Sequence, residues 1–274
     1  MSVVENLVVK RSLPALKLER SPLVYFLAQV RFSAILAMAD HLSTVQERLR
    51  KLGYPLFTQV DAHNIVFTPP SPPRVEQVAL WNFAAADRKT GIILSSNFVA
   101  FQTTKYTTYE ETLPKITEAL HAVHDVAQIG VFERVGLRYL DLIAPNWNNE
   151  NFSTYLKPEV IGISGPAIGA ETLHHSTAYA GKTKFGMIVI RFNTHDGPNI
   201  LPPDIATANL DMPKIPESTR VGTLDFDHFL ESKDPFSPEL AETMLADLHD
   251  AIARAFNECT TAKALELWGK HDLT

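Results

Sequence analysis

From Pro22 to Phe32 the chain reads PLVYFLAQVRF, a run of aromatic and β-branched residues closed by Ser33, and this predicts a strand. The period then changes: Leu42, Val45, Leu49 and Leu52 recur at helical spacing, with Asp40 as N-cap and Gly53 just past the end, so a helix is predicted. Three strands are expected next, at 56–68 up to the PPSPP run, at 78–87 and at 90–104. A second helix is expected over about 108–127, since Thr108 and Glu111 have capping-box spacing and Leu113, Ile116, Leu120, Val123 and Ala127 form one apolar stripe. Pro114 removes a helical hydrogen bond, which implies a kink there or a later start.

The pattern then starts again. VFERVGLRYLDLI (131–143) predicts a strand, a short turn of helix falls within 151–160, and strands are expected at 167–180, 184–193 and 221–230. A closing helix begins at Ser237 with Pro238 in the first turn, and Leu240, Met244, Leu248, Ile252, Ala255 and Cys259 make its stripe. At a constant offset of 128 residues, Phe98 matches Phe226, Phe101 matches Phe229, Glu111 matches Glu239, Leu120 matches Leu248 and His121 matches His249. The expected fold is therefore α+β, with internally duplicated β-α-β-β-β-α halves sharing a curved antiparallel sheet whose long helices pack on one face. An N-terminal arm takes 1–21, the first half 22–130 and the second half 131–274.

One segment breaks the repeat. Residues 194–219 hold five prolines and a set of apolar residues, among them Ile200, Leu201, Ile205, Leu210, Met212 and Ile215. Loops of this length are uncommon unless functional or disordered, and disordered segments seldom carry so many apolar side chains. Ile200, Leu201, Ile205, Leu210 and Met212 are the candidate partner-binding residues.

Composition narrows the function classes. The chain has 274 residues and a net charge of −6, which argues against a non-specific nucleic-acid binder; Lys10, Arg11, Lys17 and Arg20 make the one loosely basic stretch. A single cysteine, Cys259, cannot form an internal disulfide, and no run approaches membrane-spanning length, so a cytoplasmic protein without membrane contact is expected.

Three stretches carry a resemblance: Pro22-Leu23 followed by Val30-Arg31-Phe32, the central Phe132-Glu133-Arg134-Val135-Gly136-Leu137-Arg138-Tyr139, and Leu248-His249 leading to Phe256. Together they resemble a sporadically distributed family of bacterial proteins of unknown function, over about residues 22–268. The resemblance implies a bacterial protein with an accessory role, in defence or toxin biology. It supplies no catalytic residues.

Strand alternation puts Arg134, Gly136 and Arg138 on one face of 131–143. With Arg31 and Arg191 these arginines are the candidate ligand-binding set, able to grip a carboxylate or phosphate in bidentate fashion; the competing reading pairs them internally with Glu133, Glu171, Asp141 or Asp225. His174, His175 and Glu171 are the nearest approach to a metal set, but adjacent strand residues point to opposite faces and no ligand spacing occurs, so no metal is expected. Cys259 lies on a core stripe, His121 and His249 each follow a core leucine, and Asp225 and Asp227 share one strand face. No catalytic residue and no cofactor is expected, and the reading leans away from an enzyme. The leading expectation is a non-enzymatic binding protein that meets a protein partner through its open sheet face and the 194–219 loop, with homo-oligomerisation left open. The alternative is a binder of, or enzyme for, a small anionic ligand using the arginines, and the third is a nucleic-acid saddle.

Overall fold

The computed structural model describes residues 17–66, 74–145, 151–205, 209–217 and 219–271. Most of the expected N-terminal arm, with Lys10 and Arg11, and the PPSPP run at 69–73 lie outside the described residues. In chain order the elements are β1 (Lys17–Leu18), β2 (Leu23–Phe32), α1 (Met38–Lys51), β3 (Leu56–Val66), β4 (Arg74–Ala84), β5 (Thr90–Leu94), β6 (Phe98–Thr103) and α2 (Tyr109–Ala127). They continue with β7 (Phe132–Ile143), α3 (Phe152–Tyr155), α4 (Pro158–Ile161), a 3-10 turn at Pro166–Ile168, β8 (Ser176–Lys182), β9 (Met187–Asp196), β10 (Arg220–Glu231), α5 (Pro238–Cys259), α6 (Ala262–Leu267) and β11 (Lys270–His271).

The fold is mixed α+β. Nine strands form one antiparallel sheet in the order β3-β4-β5-β6-β2-β7-β10-β9-β8, and β1 pairs with β11 apart from it. No described helix is long and apolar enough to cross a membrane.

Local chemistry accounts for the helix ends. Thr108 caps α2 by accepting from the Glu111 N–H, and the helix starts at that cap and runs through Pro114. Ser237 caps α5 by accepting from the Leu240 N–H, with Pro238 in the first turn, where its missing N–H has no helical partner to lose. The capping residue of α1 is Ala37 and not Asp40, which lies in the first turn where its carboxylate favours the helix dipole. The stretch 90–104 is two strands, because Ser95 donates its N–H to the Phe98 carbonyl and folds the chain back. Residues 22–130 therefore carry one strand more than the expected β-α-β-β-β-α scheme. The expected strand at 167–180 begins only at Ser176.

Alternation divides the central strands between two layers. Phe26, Ala28, Val30 and Phe32 of β2, Val135, Leu137 and Tyr139 of β7, and Leu224 and Phe226 of β10 join one core cluster. That cluster includes Val45 and Leu49 of α1, Ile116, Leu120 and Val123 of α2, and Leu245, Leu248 and Ile252 of α5. A smaller cluster holds Leu80, Ala84, Ile93 and Ala100, to which Leu27 and Phe98 are packed. The offset pairing of Phe98 with Phe226 thus joins residues of different clusters.

Candidate functional site

Cross-strand register builds a polar grid across the middle of the sheet. Tyr25, Leu140, Asp225 and Arg191 stand directly opposite one another in one row, and Leu27, Arg138 and Asp227 in the next. Gln29, Gly136 and Phe229 follow, then Arg31, Arg134 and Glu231. Directly opposed residues project to the same side of a sheet, so the four predicted arginines share one face.

They do not form one cluster. Arg138 holds Asp225 with two parallel bonds, Nε to Oδ1 at 2.8 Å and Nη2 to Oδ2 at 2.7 Å. Its outer edge holds Asp204, Nη1 to Oδ2 at 2.6 Å and Nη2 to Oδ1 at 3.3 Å. Arg191 donates from Nη1 to Asp225 Oδ2 at 3.2 Å. Asp225 is 1% exposed and the Arg138 side chain 7%, whereas the Asp204 side chain is 64% exposed. Burial works against the Arg138 charge, but the bonds to Asp225 and Asp204 outweigh it and move its pKa up. Burial likewise raises Asp204, yet the Arg138 bond holds its carboxyl below the usual range.

Arg134 and Arg31 lie further along. The Arg134 guanidinium stacks 3.8 Å from the Phe229 ring centre and comes within 3.6 Å of Asp227. Gly136 allows this packing: a Cβ there would sit 3.3 Å from the Phe229 Cβ. Burial holds Arg134 below the usual arginine range; Asp227 opposes that shift, and Arg31, directly opposite on β2, adds to it. The expected pairing of arginines with Asp225 is therefore present, and Asp227 shares the same face.

The segment between β9 and β10 crosses this grid. Ile200 and Leu210 are buried, while Leu201, Ile205 and Met212 are half-buried. Asp204 sits over Arg138 of β7. Leu210 packs with Leu80, Ala84, Ile93 and Ala100, and the Asp211 N–H bonds the Arg88 carbonyl at 2.9 Å. Asn209 Nδ2 donates to Thr58 Oγ1 of β3 at 2.9 Å, so the segment runs from the β9–β10 side to the far edge of the sheet. Beside that contact lies a shallow depression of ≈ 40 Å³, lined by Leu56, Phe57, Asn82, Ala84, Arg88 and Asn209.

Two residues of the site escaped the sequence reading. Asp204 sits in Pro-Pro-Asp with no periodic signal to mark it. Tyr25 reads as one more aromatic strand residue, yet its hydroxyl is buried and has no hydrogen-bond partner among the described residues. Burial pushes that phenol well above its ordinary range, so it stays protonated.

The other candidates fall elsewhere. His249 accepts or donates at Nδ1 with the Tyr139 hydroxyl at 2.8 Å and stacks on Tyr109 at 4.1 Å, and burial lowers its pKa to about 4. His121 bridges α2 to Glu239 of α5 at 3.5 Å. Cys259 is buried, which raises its thiol to about 11 and keeps it unreactive. His174 and Glu171 are exposed and His175 half-buried; among the described residues no three His, Cys, Asp or Glu side chains are grouped to hold a metal ion. Compared with protein-family models, curated proteins and solved structures, the chain matches none.

Proposed function

We propose that this protein is a non-enzymatic binding module that engages a protein partner through the sheet face crossed by the 197–217 segment and through the adjoining β3 edge. The observation that carries the reading is β3 itself. It ends the nine-stranded order and pairs with β4 on one side, and Leu56, Phe57 and Val60 stand exposed on it beside the Asn209 contact. An edge strand with apolar side chains offers backbone N–H and C=O groups to a further strand, and alternate side chains of an added segment find the depression between Phe57 and Arg88. Ile200 and Leu210 hold the crossing segment in place, and the half-buried Leu201, Ile205 and Met212 supply contact surface along it. On the grid, Arg138 and Arg191 meet Asp225 and Asp204, which leaves little excess positive charge for a phosphate backbone and weighs against a nucleic-acid saddle.

The duplication belongs to the same proposal. Reading outward from the central seam, β2 is followed by β6, β5, β4 and β3, and β7 by β10, β9 and β8, with α2 after β6 and α5 after β10. Two such units side by side, helices on one face, leave the opposite face to the crossing segment and the partner.

The test is capture of partners by the tagged protein from its native cell, with wild type beside a Phe57→Ser, Val60→Ser double variant. Val60 is exposed, whereas the Phe57 ring packs 5.3 Å from that of Phe83, so the double variant is expected to lose some melting temperature. The Val60→Ser single variant, expected to hold within a few degrees, is therefore assayed beside it. A stoichiometric protein that is retained by wild type and lost by the variants is the expected result. A partner that binds all three alike would sink the β3 assignment.

A further inference from the structure

We propose that Asp204 occupies a seat for a carboxylate-bearing ligand, which enters by exchanging with the Asp204 carboxylate on the outer edge of Arg138. The inference goes beyond the partner reading and stands without it.

Arg138 has two edges in two different environments. The Nε–Nη2 edge is fixed to Asp225, which is 1% exposed and lies on a strand, so that bond is part of the sheet. The Nη1–Nη2 edge faces Asp204, whose side chain is 64% exposed and belongs to a connecting segment. Water reaches the second pair and not the first, so only the second exchanges readily with a competing anion.

The hydroxyl of Tyr25 is an independent pointer. It is buried, lacks a hydrogen-bond partner among the described residues, and stands in the row of Leu140, Asp225 and Arg191 where the Arg138 charge acts on it. A donor left unpaired at that depth is costly, and Asp204, tethered in the fork, does not satisfy it. A free carboxylate beside Arg138 removes the cost by seating closer to Tyr25 than Asp204 does.

Charge selects the ligand class. With Asp204 drawn away, the guanidiniums of Arg138, Arg191 and Arg134 face the carboxylates of Asp225 and Asp227, and the seat carries one net positive charge. That matches a carboxylate monoanion better than a phosphate dianion, and a planar carboxylate fits the guanidinium fork that Asp204 now fills. Leu27, half-buried and directly opposite Arg138, offers apolar contact to an aliphatic body behind the carboxylate. A free short-chain acid and an acidic side chain on a partner segment share this chemistry.

Two probes separate these sources: butyrate, and a hexapeptide amide with the sequence of residues 200–205. Each is titrated by calorimetry into wild type and Asp204→Ala, a change at an exposed position that leaves the Arg138–Asp225 pair intact. At least one probe is expected to bind Asp204→Ala about tenfold or more tightly than wild type, since a resident competitor has been removed. Adding Tyr25→Phe or Arg191→Gln to Asp204→Ala is expected to weaken binding several-fold. Butyrate binding assigns the seat to a free acid, and binding of the peptide alone assigns it to an acidic side chain. The proposal is overturned if neither probe prefers Asp204→Ala, or if Tyr25→Phe and Arg191→Gln both leave the affinity unchanged.

Discussion

Asp225 and Asp204 hang on the same guanidinium, and the solvent each excludes decides what each contributes to stability. Removing Arg138 strands the buried Asp225 carboxylate, so Arg138→Ala is expected to cost about 3–5 kcal/mol in urea unfolding. Asp204→Ala, at an exposed pair, is expected to cost less than about 1 kcal/mol. Equal costs for the two would show that the Asp225 pair is not structural. Titration adds a second test at this scale. Burial raises Asp141 to about 8 in the folded chain, so the fold binds a proton that the unfolded chain has released, and this contribution is lost as pH rises from about 4 to 8. His249 runs the other way: lowered to about 4, it makes the unfolded chain the better proton binder, so stability falls as pH drops from about 6.5 to 4. Asp141→Asn is therefore expected to remove a decline on the order of 2 kcal/mol between pH 6.5 and 8 and to expose the His249 slope below 6.5. A variant whose stability still declines in parallel with wild type from pH 6.5 to 8 would refute the Asp141 assignment.

What could be read from sequence at the level of elements depended on whether the signal was local. The caps at Thr108 and Ser237 were legible because a hydroxyl three residues before a free N–H is a local arrangement. The hairpin within 90–104 was not, since Ser95–Asn97 turns without glycine or proline and the apolar run continues across it. Alternation in β7 correctly grouped Arg134 with Arg138, and the glycine between them marked a close approach whose other side, Phe229, lay in another strand. The contact of Arg138 with Asp204 spans 66 residues and ends on a segment with no period, so no pattern within either stretch announced it. The candidate site was thus half legible: the strand-borne arginines and Asp225 could be placed, whereas the residue that closes the seat could not.

At the scale of the whole molecule, β2 pairs with β7 in the middle of the nine-stranded sheet, and α2 lies against α5. One core cluster runs across that seam, from Trp81 and Phe83 of β4 to Phe192 of β9. A continuous core predicts one cooperative unit, so native-state hydrogen exchange should give the buried amides of β5 and β9 the same opening free energy, equal to that from global unfolding. Two distinct values, one for β5 and one for β9, would show that the two sides of the sheet open separately. The position of β2 also has a consequence for how the chain leaves the ribosome. Its partner on one side, β6, is complete at Thr103, but β7 begins only at Phe132, about a hundred residues after β2 ends at Phe32. At the usual pace of synthesis, of order 5–20 residues per second, that strand waits roughly 5–20 s with Phe26, Val30 and Phe32 uncovered along an unpaired edge. During translation the middle of the finished sheet is a border, and whatever shields it then, chaperone or nascent helix, does work that the completed fold no longer records.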